Sequence, residues 1–213
     1  MSSRNGDNTA RYQRLRPDLR LIADMVRPGT RVLDLGCGDG ALLDYLVHAK
    51  GVDGRGMELS QAGVNACVEH GLSVIQGDAD LDLKDYPSDA FDCVILSQTL
   101  QATSDPKGVL AQMVRIGRRA IVSFPNFGWW QVRLHLLVCG SMPVTDALHH
   151  EWYDTPNIHL CTIRDFVTLC ERIHIGIDQS VSISARGKAR AFRASSRLAN
   201  LFSEQAIFLL KRG

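Results

Sequence analysis

The residues with the most chemistry to offer lie between positions 34 and 40. Asp34-Leu35-Gly36-Cys37-Gly38-Asp39-Gly40 places glycines at 36, 38 and 40, directly after the short apolar run of Val32, Leu33 and Leu35. Glycines in a strand-to-helix turn let backbone N–H groups approach a ligand that Cβ atoms would otherwise keep away. They are ambiguous alone, since Gly36, Gly38 and Ala41 also fit the loose GxGxxG/A pattern of dinucleotide sites. Three acids narrow the chemistry. Asp34 stands two residues before the first glycine, where a carboxylate suits an ammonium-bearing ligand better than a pyrophosphate. Glu58 closes a second strand about 18 residues past the loop, placed to accept hydrogen bonds from ribose hydroxyls. Asp78 closes a third strand, where it can accept from an adenine amino group. Cys37 within the loop, and Leu59 and Ala79 beside the two later acids, complete the expected contact set.

These positions need an alternating strand and helix framework, and the hydrophobic period supplies one. Leu15, Leu19, Ile22 and Val26 recur at helical spacing until Pro28-Gly29, and residues 41–48 do so again after the glycines. Strands are expected at 52–58, 72–76, 91–97 and 119–124, with helices at about 60–70, capped by Ser60, and at 106–116. The run 91–97 is nearly all apolar, as in a strand covered on both faces. Such alternation implies a doubly wound, mostly parallel α/β sheet. After Phe124 the order breaks into an insertion at about 125–160, expected to hold a helix near 129–138 and to cover a site. A helix at 162–173 and strands within 174–184 and 201–212 then close the sheet as an antiparallel hairpin, giving seven strands. Residues 1–12 read as a flexible tail, and 13–213 as one domain.

Composition bounds the remaining classes. The chain has 213 residues with 24 Lys+Arg against 23 Asp+Glu, which gives no global reason to expect nucleic acid or an anionic membrane as partner. No apolar run reaches the length of a membrane span, and the polar start lacks the apolar core of a signal peptide, so a cytoplasmic protein is expected. The six cysteines form no CxxC and no His/Cys ligand spacing; they are expected to be reduced thiols, and no metal site is expected. Five basic residues gather within 186–197 without an acid, a local run that fits a solvated loop or an acidic partner surface.

Candidates for catalysis are few. In a doubly wound sheet the reactive centre lies beyond the C-terminal strand ends, which points to Ser97 and Gln98 after the fourth strand and Asn126 after the fifth. Ser97 and Gln98 read chiefly as polar lining of a cofactor pocket, being poor general bases. His159 and the cluster from His149 to Asp154 are the acid–base candidates of the insertion. The aromatics Phe124, Phe127, Trp129, Trp130, Trp152 and Tyr153 surround that insertion, and fit a substrate pocket, ordinary packing or a partner-binding patch.

The acid–x–Gly–x–Gly–x–Gly loop with a ribose acid and an adenine acid resembles the class I methyltransferases, a Rossmann-like family that binds S-adenosylmethionine. No NPPY-type sequence follows the fourth strand, so methylation of DNA adenine or glutamine is not expected. The phrases RVLDLGCGDGALL, GLSVIQGDAD, VILSQTLQ, IVSFPNFGWW and YDTPNIHLCTIRDF are more specific. They resemble the MetW family of bacterial methionine biosynthesis over about residues 15–175. That resemblance implies a role beside homoserine O-acyltransferase and supplies no methyl acceptor. Two functions follow: an S-adenosylmethionine-binding partner of homoserine acylation, or a free-standing methyltransferase of a small molecule.

Overall fold

A computed structural model describes residues 12–13, 15–148, 150–184 and 187–213. Helix α1 (Pro17–Met25) starts on a proline whose fixed φ suits the first helical turn. Five parallel strands follow: β1 (Arg31–Leu35), β2 (Asp53–Glu58), β3 (Ser73–Gln76), β4 (Phe91–Ser97) and β5 (Gly117–Pro125). Between them run α2 (Ala41–Lys50), α3 (Gln61–Glu69) and α4 (Pro106–Ile116). Local chemistry sets these boundaries. The Ser60 hydroxyl accepts from the Gly63 N–H at 3.1 Å, and Asp105 caps α4 through the Gly108 N–H at 3.0 Å.

Beyond β5 come α5 (Trp130–Cys139), α6 (Ile163–Arg172), β6 (Ile175–Ile183), β7 (Ala189–Ala191), α7 (Arg197–Phe202) and β8 (Gln205–Arg212). Thr162 and Asp165 form a reciprocal capping box that starts α6 where the insertion ends. The sheet order is β3-β2-β1-β4-β5-β8-β6-β7, with β8 antiparallel to both β5 and β6. The expected antiparallel close is therefore present, with one strand more than the seven expected. Ala189–Ala191 pairs with Val181–Ile183 and makes the basic run an edge strand and not wholly a loop. Leu201 and Phe202, read as strand, end a helix instead, because the Ser196 hydroxyl caps it through the Ala199 N–H at 3.2 Å. Most of the expected tail, His149, and Ala185 and Arg186 lie outside the described residues.

Alternating side chains of the central strands divide the core between the two sheet faces. One face packs Leu33, Leu35, Leu96 and Phe124 under α4 and α6, with Phe124, Phe166 and Phe208 in mutual ring contact at 4.6–5.8 Å. The other packs Val32, Ile95, Ile121 and Ile207 against Ile22 and Val26 near α1. The strand order reverses between β1 and β4, and at that switch point an open α/β sheet leaves a crevice beyond its carboxyl ends.

Candidate functional site

The glycine loop leaves β1 at this crevice and is held by backbone and carboxylate. Gly36 N–H donates to the Met57 carbonyl at 2.8 Å, and Gly40 N–H donates to the Cys37 carbonyl at 2.9 Å. Glu58 clasps the turn, accepting from Gly38 N–H at Oε2 and from Ser60 N–H at Oε1, both at 2.9 Å. Two glycines are needed for different reasons. Gly36 has φ +65°, and a Cβ there would lie 2.7 Å from Thr99 Oγ1. Gly38 has φ +59°, and a Cβ would meet nothing within 4 Å, so its open side is available to a ligand.

Asp34 is the electrostatic centre. It is 2% exposed, and burial pushes its carboxyl up to about 7, with the nearby Glu58 charge acting in the same direction. Among the described residues no cation is found to offset that burial. Asp34, Gly38 and Asp39 line a cavity of about 680 Å³, within the size range of small-molecule sites. The ends of β4 and β5 contribute Ser97, Gln98 and Pro125. From the insertion, Met142, Val144, Trp152 and Ile158 line the cavity. Leu15, Arg16 and Leu19 form a wall that sequence reasoning missed, having read these leucines only as a helix face.

Glu58, Leu59, Asp78 and Ala79 sit away from the cavity lining, around the ends of β2 and β3. Leu59, next to Glu58, is exposed there. The acidic stretch after β3 folds on itself: Asp78 accepts from Asp80 N–H at 2.8 Å, and Asp82 accepts from Asp78 N–H at 2.7 Å. Asp80 reaches across to accept from the Ser104 and Asp105 N–H groups at 2.7 and 2.9 Å. It thereby ties the β3 loop to the segment before α4, a positioning role the sequence did not disclose.

Gln98 adopts φ +56°, a left-handed conformation uncommon for a residue with a side chain. Its Nε2 donates to Asp18 at 3.0 Å and to Gln205 Oε1 at 3.2 Å, so α1 and β8 hold it at the cavity wall. Ser97 Oγ lies 3.1 Å from Ser123 Oγ.

Two catalytic candidates are placed elsewhere. The Asn126 amide is buried and saturated: Nδ2 donates to the Asn200 and Ser203 carbonyls, and Oδ1 accepts from the Gly128 and Ile163 N–H groups. It fastens the start of the insertion to α6 and α7 and has no capacity left for a substrate. His159 lies near the Ser104 carbonyl at 3.3 Å and lines a separate cavity of about 190 Å³ with Cys161 and Phe166. In its place His150 reaches the main cavity, with its Nδ1 3.8 Å from an Asp154 oxygen.

The cysteines are free thiols. Cys37 and Cys67 lie 3.8 Å apart behind the loop, and burial pushes both upward in pKa. Among the described residues no His/Cys/Asp/Glu group has the makings of a metal site, and no helix is long and apolar enough to cross a membrane.

Comparison with known proteins places this geometry. A crystal structure of an S-adenosylmethionine-dependent methyltransferase from Archaeoglobus fulgidus superposes with TM-score 0.67 at 16% identity, covering 92% of this chain and 91% of that one. A second, from Mesorhizobium loti, gives TM-score 0.64 at 18% identity, over 92% and 96%. At such identities the likeness is one of fold. The bifunctional methionine biosynthesis protein MetXA/MetW of Rhodopirellula baltica is 35% identical over 176 residues, which are 78% of this chain and 28% of that protein. The ubiquinone biosynthesis O-methyltransferase of Hahella chejuensis is 32% identical over 96 residues, 43% of this chain and 40% of the relative. This chain thus spans less than half the length of these curated relatives. The family model described as methionine biosynthesis protein MetW matches residues 16–210, from the cavity wall before α1 almost to the end of β8. By that match the chain belongs to the MetW family of methionine biosynthesis proteins.

Proposed function

We propose that this chain binds S-adenosylmethionine along the carboxyl edge of its sheet and acts with a homoserine O-acyltransferase in the acylation of homoserine. The cofactor reading rests above all on Asp34, a buried carboxyl at a cavity wall whose charge no cation among the described residues is found to offset. A ligand carrying an ammonium group supplies that charge. In this reading Gly36, Cys37, Gly38 and Gly40 form the cradle, Glu58 takes the ribose, Leu59 and Ala79 flank the adenine, and Asp78 accepts from its amino group. Ser97 and Gln98 close the far wall. The fused MetXA/MetW relative supports the partnership, since it carries a region like this chain in a protein whose name joins the two functions.

The proposal fixes a pH dependence. Asp34 titrates near 7 in the free folded chain, and the bound cation favours its ionised form, so binding below pH 7 releases a proton. Affinity should therefore fall by up to about tenfold per pH unit below 7 and level off above it. Calorimetry in buffers of different ionisation enthalpy reads the proton directly, and an affinity flat from pH 5 to 8 would contradict the role of Asp34. The sign for folding follows from the same shift. Its folded pKa lies above the unfolded value of 3.8, so the free chain loses stability as pH rises from about 4 to about 7. Asp34→Asn removes that loss: its melting temperature at pH 8 should exceed the wild type's, while its cofactor affinity falls.

His150 favours a second reading, methyl transfer to a small molecule, because its imidazole lines the cavity beside Asp154. S-adenosylmethionine supplies an electrophilic methyl group when bound, and a base at His150 would take a proton from the acceptor. His150→Ala should then lower formation of S-adenosylhomocysteine at least tenfold with cofactor affinity unchanged. Undetectable formation by the wild type across candidate acceptors leaves the partner-subunit reading alone.

A further inference from the structure

The basic run that follows β6 borders a second concavity. Between the β6-β7 edge and α7 lies a groove of about 660 Å³, within the size range of small-molecule sites. Among the described residues it shares no wall with the main cavity. Lys188, Arg190 and Arg193 line it, and no carboxylate does among the described residues. All three are exposed, and none enters an ion pair among the described residues, unlike Arg31, Arg119 and Arg212, which each face an aspartate. Ser203 adds a neutral donor. It is 4% exposed and lines the groove, and among the described residues nothing hydrogen-bonds its hydroxyl. Hydroxyls this buried are normally paired within the protein, so this one is available to a ligand.

Basic side chains on an edge strand also discourage pairing with other chains, and β7 is such an edge. That role needs neither a concave wall nor a free hydroxyl within it. Three cations without an acid exceed what one carboxylate requires. They match a phosphate or diphosphate, whose oxygens suit the planar fork of arginine. The opposite rim is apolar: Leu198 and Phe202 of α7, one helical turn apart, are 69% and 58% exposed. Phe202 offers a ring on which a planar group can stack. A nucleic-acid strand calls for basic residues tracking its backbone and several such rings, in a chain whose 24 Lys+Arg are balanced by 23 Asp+Glu.

We propose that this groove binds a small molecule carrying a phosphate or diphosphate on a planar body, the class to which nucleotides belong. Lys188, Arg190 and Arg193 take the phosphate oxygens, the Ser203 hydroxyl supplies a further donor, and Leu198 with Phe202 covers the planar body. The site goes beyond the function proposed above and does not rest on it, since Asp34 and the glycine loop border the other cavity.

The test is titration calorimetry on the full chain at about 50 mM salt, with ADP as the probe and adenosine as the same body without phosphate. Each titration is run with and without S-adenosylhomocysteine, which tells the groove apart from the proposed cofactor site. ADP is expected to bind tighter than adenosine by about tenfold or more in both conditions. Arg190→Glu and Arg193→Glu, at exposed positions, should each weaken ADP by about tenfold or more at an unchanged melting temperature. Ser203→Ala should weaken it by about threefold. Lys107→Glu, which reverses an exposed cation on α4, should leave ADP affinity as it was. ADP bound no tighter than adenosine, or weakened as much by Lys107→Glu as by the groove variants, overturns the proposal. ADP displaced by S-adenosylhomocysteine and untouched by Arg190→Glu assigns it to the main cavity and overturns the proposal too. A single-stranded oligonucleotide bound more tightly than ADP and released by Arg190→Glu gives the groove to nucleic acid. An acyltransferase complex that Arg190→Glu breaks, with no ADP held by the wild-type chain, gives it to an acidic protein surface. Either result overturns the proposal.

Discussion

Glu58→Ala is expected to raise the dissociation constant for S-adenosylmethionine at least a hundredfold. The carboxylate has two tasks in the proposed site. It fixes the glycine loop through the Gly38 and Ser60 N–H groups, each at 2.9 Å, and in the proposed site its remaining lone pairs accept from the ribose hydroxyls. Hydrogen bonds to a charged group contribute about 1.5–3 kcal/mol each, so losing two ribose contacts alone approaches or exceeds a hundredfold. Release of Gly38 adds the cost of re-ordering the loop on binding. Glu58→Gln separates the two tasks. Its amide keeps one acceptor and offers a donor where an N–H group already donates, so loop and ribose cannot both be served. An intermediate loss, read by calorimetry, is expected for that variant. Binding unchanged in Glu58→Ala would mean that the ribose sits elsewhere.

The second large effect falls on stability. Asn126→Ala should lower the melting temperature by about 10 °C, because it strands two carbonyls and two N–H groups that the buried amide now satisfies. Leaving buried groups unpaired costs about 1–3 kcal/mol each, partly recovered by water and relaxation. For a chain of this size about 1 kcal/mol corresponds to 2–4 °C. Asn126→Asp should be nearly as damaging, since it cannot donate to the Asn200 and Ser203 carbonyls. A thermal unfolding scan decides the matter. A wild-type melting temperature in Asn126→Ala, with any methyl transfer lost, would restore Asn126 as a substrate contact.

The parts legible in the sequence are those that local periodicity and turn chemistry dictate. The switch of period at Arg31, the glycines at 36, 38 and 40, and the Ser60 cap each depend on neighbours within a few residues, and the structure has them as read. Strand β7 was not legible, because Ala189, Arg190 and Ala191 are all exposed and show no alternation of apolar and polar side chains. It is a strand only because β6 offers a free edge. Where a motif carries its own geometry the placement was legible in part: the glycine loop and Asp34 reach the cavity, whereas Glu58 and Asp78 stand outside its lining. It was not legible where distant segments meet. Whether Asn126 faces a cavity or the backbone of α7 depends on where residues 200–203 fold, and no spacing near 126 reveals that. The same holds for Gln98, whose left-handed backbone is held by Asp18 and Gln205 from opposite ends of the chain.

One measurement tests the proposed function most directly: homoserine O-acyltransferase activity with and without an equimolar amount of this chain, each with and without S-adenosylmethionine. Co-elution is read from the same samples. The expected result is a rise in acyl transfer with a shared elution peak, changed by S-adenosylmethionine in the wild-type chain and unresponsive to it in Glu58→Ala. Acyl transfer indifferent to the chain, with the two proteins eluting apart, would contradict it.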